Sequence, residues 1–475
     1  MDAERQQLSE ELERLRSENA ELKASNIRLA KQVEQLTAQV EKLTAALEEA
    51  RRAGKRQAAP FRKERKSRAR KKPGRKPGDE YGQHHRRAIP DPKEINERYR
   101  APLPKRCPCC NSRHLEPGEQ LEQYQIEIPQ QPIIRQFTIE TGVCQDCGQS
   151  VQGRHELQTS DATGAAGVQL GPRAHASMSW LNKRLGLSHG KIRQLFAELF
   201  GIQISRSTSA RSCQRTARRC EAASEQVKRD VRGSPQVTPD ETGWRVGGDK
   251  AWLHAFAAPD ATCYVIDPTR SGQPAEDLLG LDWHGRMVRD GWSVYNRFTK
   301  AVHQQCNAHL INRCNELLET ATPAVARFPR AVKELLQRGL ALRDRHAAGK
   351  VSAHGLRVMA GRITNELLYL VGWRKTNPAN ERLAKFLFEH HDAIFNYLRH
   401  PGLDATNWRG EQAVRPAVVN RKVWGGNRTW KGAETQAALM SVMQTCLQRH
   451  LSPVEFLIQA LTCPTADRLI PAAGR

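Results

Sequence analysis

A heptad repeat near the N-terminus is the feature that most constrains how this chain can fold. Leu recurs at every seventh position from residue 8 to residue 43, and Leu, Asn or Val fills a second heptad position from residue 12 to residue 47. A coiled coil buries such a continuous apolar stripe between its helices, whereas a solitary amphipathic helix has no partner helix to bury it. Asn19 and Asn26 favour a parallel two-stranded register, because a buried amide is satisfied by the same amide of a partner helix. The sequence therefore predicts a homo-oligomer, at least a dimer, through residues 8–47.

A strongly basic segment follows the heptads. Residues 51–78 hold 14 Lys or Arg without apolar periodicity, which predicts a disordered arm. A bZIP protein carries its basic helix before the zipper, and here the basic segment comes after it and contains Pro60, Pro73 and Pro77. Residues 73–78 are either a linker that touches phosphates or an arm that lies in a minor groove. With 75 Lys and Arg against 51 Asp and Glu, the chain has a net charge of +24, so nucleic acid is the leading candidate partner.

The cysteines indicate metal rather than disulfide bonds. Two Cys-x-x-Cys pairs, Cys107 with Cys110 and Cys144 with Cys147, form the thiolate set of a structural Zn²⁺. Alternating apolar residues near 124–128 and 133–139 predict strands between the pairs, and hence a zinc ribbon. A redox dithiol would need a βαβ context that the sequence lacks. Because the chain also shows no apolar run of membrane-spanning length and no secretory signal, we expect a cytoplasmic protein without membrane contact.

Residues 171–219 predict a helix-turn-helix. Two helical segments, each preceded by a Ser, flank a turn at Gly201. The second segment carries cations that a helix beside DNA needs, and the candidate DNA contacts are Arg206, Arg211 and Arg215. An ordinary helical hairpin with a solvated basic face remains the alternative.

Three acidic residues stand at positions typical of a catalytic sheet. Segments 236–246, 250–258 and 261–268 predict a meander of three strands, and the first contains Asp240. A fourth strand ends at Asp290, and residues 301–306 predict a fifth. After nearly 90 helical or loop-like residues, Glu411 lies in what is predicted as a short helix stopped by Pro416. The three carboxylates would converge if the sheet is ribonuclease H-like.

These segments carry a resemblance to a known family. The motifs are Asp240-Glu-Thr-Gly-Trp, Asp290-Gly-Trp-Ser-Val-Tyr-Asn followed by Cys306-x-x-His309, and Asn-x-x-x-Glu411-x-x-x-Arg415-Pro. Together with the preceding ribbon and zipper, they resemble the transposases of the insertion sequence 66 family from about residue 10 to residue 460.

The resemblance implies a DDE transposase. Its catalytic acids would be Asp240, Asp290 and Glu411, which would hold Mg²⁺ or Mn²⁺ for cleavage at transposon ends and strand transfer into target DNA. For Cys306 and His309 we prefer a core or DNA-orienting role to a second zinc site. Further candidate DNA contacts are Arg415, Arg421 and Lys422. Accessory proteins of the same element are expected partners, and the bound protein would be associated with the bacterial nucleoid.

The expected architecture is a multidomain α+β chain. Its expected parts are a parallel coiled coil (1–50), a basic arm (51–98), a zinc ribbon (99–156), a helix-turn-helix domain (157–225), a ribonuclease H-like α/β core (226–305), a helical insertion (306–400), the second part of the core with the third acid (401–435) and a C-terminal helical tail (436–475). Two other functions stay open, a catalytically silent DNA-binding regulator and a metal-dependent nuclease without joining activity.

Overall fold

The structure, a computed structural model, describes residues 132–143, 145–147, 149–163, 169–463, 465 and 467–472, with shorter pieces inside 14–39 and 91–98 and residue 113. The chain divides into two compact units, Met1–Ile126 and Glu127–Arg475. In the first unit, the described positions between 14 and 39 are helical and exposed, and Leu22, Leu29 and Leu36 of the heptad seam are each more than half exposed. Residues 51–90 of the basic arm and the first Cys-x-x-Cys pair lie outside the described residues.

The second unit begins with a small antiparallel hairpin. Strand β1 (Thr141–Val143) pairs with β2 (Ser150–Gln152), and residues 145–147 form a turn between them. The strand predicted over 133–139 is wrong, because residues 132–140 have no strand structure. On the alternating face, Ile133 is 76% exposed and Phe137 and Ile139 are partly buried, with the Phe137 ring centroid 5.6 Å from that of His155.

Four helices precede the main sheet: α1 (Pro172–Lys183), α2 (His189–Phe200), α3 (Arg206–Arg219) and α4 (Glu221–Gly233). The predicted pair of capped helices around a glycine turn is confirmed in α2 and α3. Ser188 and Ser205 accept hydrogen bonds from backbone N–H groups in the first turns of the two helices. Gly201 ends α2 with φ of 65°, a conformation that glycine adopts without strain.

A five-stranded mixed sheet forms the centre of the second unit. Its strands are β3 (Gln236–Val246), β4 (Asp249–Ala257), β5 (Thr262–Asp267), β6 (Arg286–Arg289) and β7 (Val302–Gln305). The spatial order is β5-β4-β3-β6-β7, with β3 to β5 antiparallel and β6 and β7 parallel to β3. All five predicted strands are confirmed, and a short helix, α5 (Gln273–Leu279), follows β5.

Helices make up most of the remaining chain. Between β7 and the third acid lie α6 (Asn307–Thr320), α7 (Arg327–Ala347), α8 (Ala353–Val371) and α9 (Pro378–Glu389), and two 3-10 turns, His391–Ala393 and Asn396–Leu398. These helices share a core of their own that includes Leu336, Leu367 and Leu387, as expected for a helical insertion. The chain then forms α10 (Trp408–Trp424), α11 (Trp430–Gln448) and α12 (Pro453–Thr462). The boundary expected at residue 436 thus falls inside α11.

Helix α10 is longer than the sequence predicts. It continues through Pro416 for two further turns, although proline removes one backbone donor and crowds the preceding turn. Ala413 and Ala417 flank the proline and are buried on the sheet against a cluster that includes Leu253 and Ala255. Burial of this apolar face offsets the local cost of the proline, which periodicity alone does not reveal.

Both edges of the sheet are covered by side-chain hydrogen bonds. Along β5, the backbone N–H groups of Thr262 and Tyr264 donate to hydroxyls of Thr445 and Ser441 on α11 at 3.2 and 2.8 Å. On β7, the carbonyl of His303 accepts from Asn396 Nδ2 at 2.8 Å. These contacts use backbone groups that an open edge strand would expose. Among the described residues, the helices are too short or too polar to cross a bilayer.

Candidate functional site

Asp240 lies in the middle of β3, at the centre of the sheet. It pairs with Ala255 of β4, so its side chain shares a face with Leu253 and Ala255, the face that α10 covers. Its Oδ1 accepts a hydrogen bond from the backbone N–H of Glu241 at 2.9 Å. Asp240 is thereby fixed between the sheet and the helix that carries the third acid.

Asp290 directly follows β6, the strand that lies beside β3 and its Asp240. Its Oδ1 accepts from the backbone N–H of Trp292 at 3.0 Å, which closes a tight turn. Arg289 is buried and ties down the same loop, with Nη1 donating to the Trp292 carbonyl at 3.1 Å and Nη2 to Asn296 at 2.7 Å. The insertion also reaches this point, because a Cβ on Gly291 would meet Phe386 of α9 at 3.1 Å. The predicted carboxylate at a strand end is therefore held from several sides.

Glu411 lies in the first turn of α10, and the glycine before it allows the helix to approach the sheet. A Cβ on Gly410 would meet the Asp240 Cβ at 2.9 Å and the Thr238 Cγ2 at 3.2 Å, closer than ordinary contacts. Asp404 holds the start of the helix, since its carboxylate accepts from Arg409 Nε at 2.6 Å. The sequence motif contains Gly410, but only the packing shows why a side chain there is unfavourable.

Electrostatic interactions connect Asp240 with the other two candidate acids. Burial and the charges of Glu241, Asp290 and Glu411 together raise the pKa of Asp240 to about 8, against one backbone hydrogen bond that lowers it. Nδ1 of His309 lies 3.9 Å from Glu411 Oε1. A hydrogen bond with Cys306 and the negative charges of Glu411 and Asp290 raise the pKa of His309 to about 9 despite its partial burial. Asp290 and Glu411 thus interact electrostatically with both Asp240 and His309.

The same site contains the predicted Cys-x-x-His pair. Cys306 is 1% exposed, and its sulfur accepts a hydrogen bond from the backbone N–H of Asn407 at 3.3 Å. Cys306 also donates its own N–H to the Arg289 carbonyl at 2.8 Å. It thus links the end of β6 to the loop before α10, which agrees with a core role. Across the described ranges, no three His, Cys, Asp or Glu side chains are grouped as a metal site.

Sequence reasoning missed an ion pair between Glu241, the neighbour of Asp240, and Arg270. Glu241 lies on the sheet face opposite Asp240, as strand alternation predicts, and Arg270 Nη2 approaches its Oε1 to 2.5 Å. Arg270 follows β5 as a lone basic residue in a turn, and nothing in its sequence context distinguishes it. The pairing becomes visible only when β5 and β3 are brought together by β4.

The predicted DNA contacts fall on two elements. Arg206, Arg211 and Arg215 are exposed on α3, and Arg215 Nη1 lies 3.4 Å from His175 Nε2 of α1. On α10, Arg415 and Lys422 are exposed, whereas Arg421 is partly buried and donates to the Gly243 carbonyl and, at 3.2 Å, to the Thr242 hydroxyl.

Of the four predicted zinc ligands, one is described. Cys147 is exposed and free in the turn that joins β1 to β2. Cys107, Cys110 and Cys144 lie outside the described residues.

Comparison with known proteins gives a consistent assignment. A family model described as "Transposase IS66 family" matches residues 167–435, which is more than half of the chain and contains all three acids. An uncharacterized protein of Sinorhizobium fredii, y4qI, is 23% identical over 299 residues, 55% of this chain and 54% of that protein. The chain thus spans about half the length of this curated relative. The family match covers the sheet, the insertion and α10, so the chain belongs to the IS66 family of transposases.

Proposed function

We propose that this protein is a DDE transposase that binds the terminal inverted repeats of its element and catalyses metal-dependent DNA cleavage and strand transfer. The observation that carries the proposal is that Asp290 follows the strand beside β3 and Glu411 lies on the helix packed against Asp240, although the three acids are 50 and 121 residues apart in the sequence. The strand order, a three-stranded antiparallel meander with two further strands parallel to the first, also supports a ribonuclease H-like core. Membership of a transposase family supports the same reading.

The donor chemistry of the site fits Mg²⁺ or Mn²⁺. All three proposed ligands are carboxylates, the oxygen donors that these ions prefer. Burial is the largest cause of the raised pKa of Asp240, and repulsion from the neighbouring acids adds to it. A bound cation would relieve this repulsion. When bound, such ions supply charge stabilisation for the attacking and leaving oxygens of an in-line displacement at phosphorus.

The protein's own residues have distinct tasks in this proposal. Asp240 holds a proton at neutral pH without a cation, so it must release that proton to become a ligand. Gly410 and Asp404 fix the start of α10 and thereby the position of Glu411. His309, protonated at neutral pH, supplies positive charge beside Glu411 that would suit a bound phosphate.

DNA recognition is assigned to the helical and basic parts. We assign α3 to the terminal repeat, with Arg206, Arg211 and Arg215 as contacts, because these residues are exposed on one capped helix. Arg415 and Lys422 would contact the DNA near the third acid. Arg421 has a second task, because it holds α10 against β3.

The N-terminal parts complete the proposal. Residues 8–47 would pair two subunits, which suits a reaction in which two transposon ends are held together. Zn²⁺ would bind Cys107, Cys110, Cys144 and Cys147, and the β1–β2 hairpin around Cys147 is compatible with one half of such a site. Accessory proteins of the element are further proposed partners.

Cleavage and joining of a labelled duplex that carries the terminal repeat tests the proposed chemistry. We expect nicking that leaves a free 3′-hydroxyl, followed by joined products, in Mg²⁺ or Mn²⁺ and with the full chain. Glu411→Gln should abolish both products while binding persists. Glu434→Gln, an exposed acid on α11, is the matched control and should retain them.

Each alternative predicts its own products. Nicking without joined products would favour a nuclease. Tight binding with no cutting in either metal would favour a silent regulator and refute the catalytic assignment.

A further inference from the structure

Arg270 occupies a constructed position on the face of the sheet that carries Glu241, opposite the face of Asp240. Its guanidinium carbon lies 5.0 Å from the ring centroid of Trp252 and 4.7 Å from that of Trp292. Nε and Nη2 donate to Glu241 Oε1 at 3.0 and 2.5 Å, yet 44% of the side chain stays exposed. The head group is thus oriented by two rings and a carboxylate while remaining accessible.

Glu241 is the anchor of this arrangement. Its side chain is 4% exposed, and its second oxygen accepts from the Tyr295 hydroxyl at 3.5 Å. Burial and the charge of Asp290 raise the pKa of Glu241, whereas the hydrogen bonds and charge of Arg270 lower it. Both carboxylate oxygens therefore have protein partners, which fits a positioning residue better than a fourth metal ligand.

The chain ties Arg270 closely to two of the proposed catalytic acids. Glu241 directly follows Asp240 on β3. Trp292, which stacks on Arg270, donates its backbone N–H to Asp290 at 3.0 Å. A movement of Arg270 would therefore disturb residues adjacent to both acids.

We propose, building on the transposase function proposed above, that Arg270 binds a backbone phosphate of the DNA next to the scissile one. A guanidinium has five N–H donors, and the contacts with Glu241 use two of them, so three remain for phosphate oxygens. Arg suits this task because its planar fork matches phosphate geometry, and the two indole rings hold the fork in place before DNA arrives. Arg270 would thereby set the register of the strand over the acids.

A structural role alone makes a different prediction. If Arg270 only neutralised buried Glu241, its loss would weaken the fold and leave DNA contacts unchanged. The discriminating quantity is the dependence of affinity on salt, because each phosphate contact contributes about one unit to the slope of log affinity against log salt. This slope is measured by binding and does not require that the protein cut DNA.

The first experiment measures binding of the full chain to a short labelled terminal-repeat duplex over a salt series. Arg270→Gln should reduce the slope by about 1. Arg270→Lys, which keeps the charge, should retain the slope with weaker affinity. Arg338→Gln removes an exposed arginine paired with Glu366 on the insertion and should leave the slope unchanged. Arg270→Gln alone leaves Glu241 buried without its cation. The double variant Glu241→Gln/Arg270→Gln removes that buried acid, so it should recover the thermal stability that Arg270→Gln loses, but its salt slope should stay reduced.

The second experiment replaces single phosphates near the cut with neutral methylphosphonates. At one position the replacement should weaken binding by the wild-type protein about tenfold and have no further effect on Arg270→Gln. An unchanged salt slope in Arg270→Gln, or additive losses at every phosphate, overturns the inference. Failure of the wild-type protein to cut would count against the proposed function, whereas the binding data would still decide the role of Arg270.

Discussion

Replacement of Gly410 by alanine tests whether α10 rests on β3 at Asp240. The new Cβ would lie 2.9 Å from the Asp240 Cβ and 3.2 Å from the Thr238 Cγ2, whereas ordinary contacts begin near 3.4 Å. Strand β3 is central in the sheet, so the helix must move by about half an ångström or more. Overpacking of this kind costs about 1–3 kcal/mol of folding stability.

Gly361→Ala provides the matched control. Gly361 also lies in a helix, α8, but a Cβ there meets no atom within 4 Å. Alanine should stabilise that helix by about 0.5–1 kcal/mol through its higher propensity. Because both variants gain this propensity, the difference between them isolates the steric cost of about 1–3 kcal/mol at Gly410.

Unfolding in denaturant and the cleavage assay measure the two consequences. Gly410→Ala should unfold at lower denaturant concentration than Gly361→Ala. Since Glu411 is the next residue, a displacement of up to 1 Å should lower cleavage by about 100-fold, whereas Gly361→Ala should cut at the wild-type rate. Equal stability and equal cleavage in the two variants would refute the contact between α10 and Asp240.

Three further predictions concern the helical part, the cysteines and DNA binding. Burial lowers the pKa of His175 and of His189 to about 4 each. The neutral side chains therefore stabilise the fold fully above pH 6.5, and this contribution is lost as the pH falls toward 4. The thermal midpoint of the wild-type protein should drop over this window, and that of His175→Gln/His189→Gln should drop less. Cys147→Ser should lower the zinc content, measured by elemental analysis, below the expected one per chain. Cys463 is a half-buried cysteine near the C-terminus, and Cys463→Ser should leave the zinc content unchanged. One zinc per chain in both variants would disprove the ligand assignment. Arg211→Gln should weaken binding to terminal-repeat DNA and reduce its salt slope by about 1 relative to Arg338→Gln, and equal slopes would remove α3 from the DNA interface.

Much of the fold could be predicted because local signals and packing agree. The strand containing Asp240 is long, and the Gly247-Gly248 turn directs it into β4. The serine caps and the turn at Gly201 define α2 and α3 by backbone chemistry alone. Over 133–139 the local pattern was misleading, because these residues alternate in character and yet form no strand. At Pro416 the opposite holds, since burial of α10 outweighs a local helix breaker.

The candidate site could be predicted in its acids but not in its supports. Asp240, Asp290 and Glu411 stand in motifs, so their sequence context distinguishes them. Arg270 stands in no motif, and its importance depends on Trp252 and Trp292, which reach it from different strands and loops. Contacts of this kind are set by tertiary structure and leave no periodic trace in the sequence.

The covered edges of the sheet also limit how two copies of this protein can associate. Thr445 and Ser441 occupy the backbone donors of β5, and Asn396 occupies a carbonyl of β7, so another chain cannot extend the ladder there without first displacing α11 or the 3-10 turn. Self-association by strand addition, and the fibrous aggregation that can follow from it, is therefore disfavoured. A complex of two subunits would then form through surfaces other than the edges of this sheet.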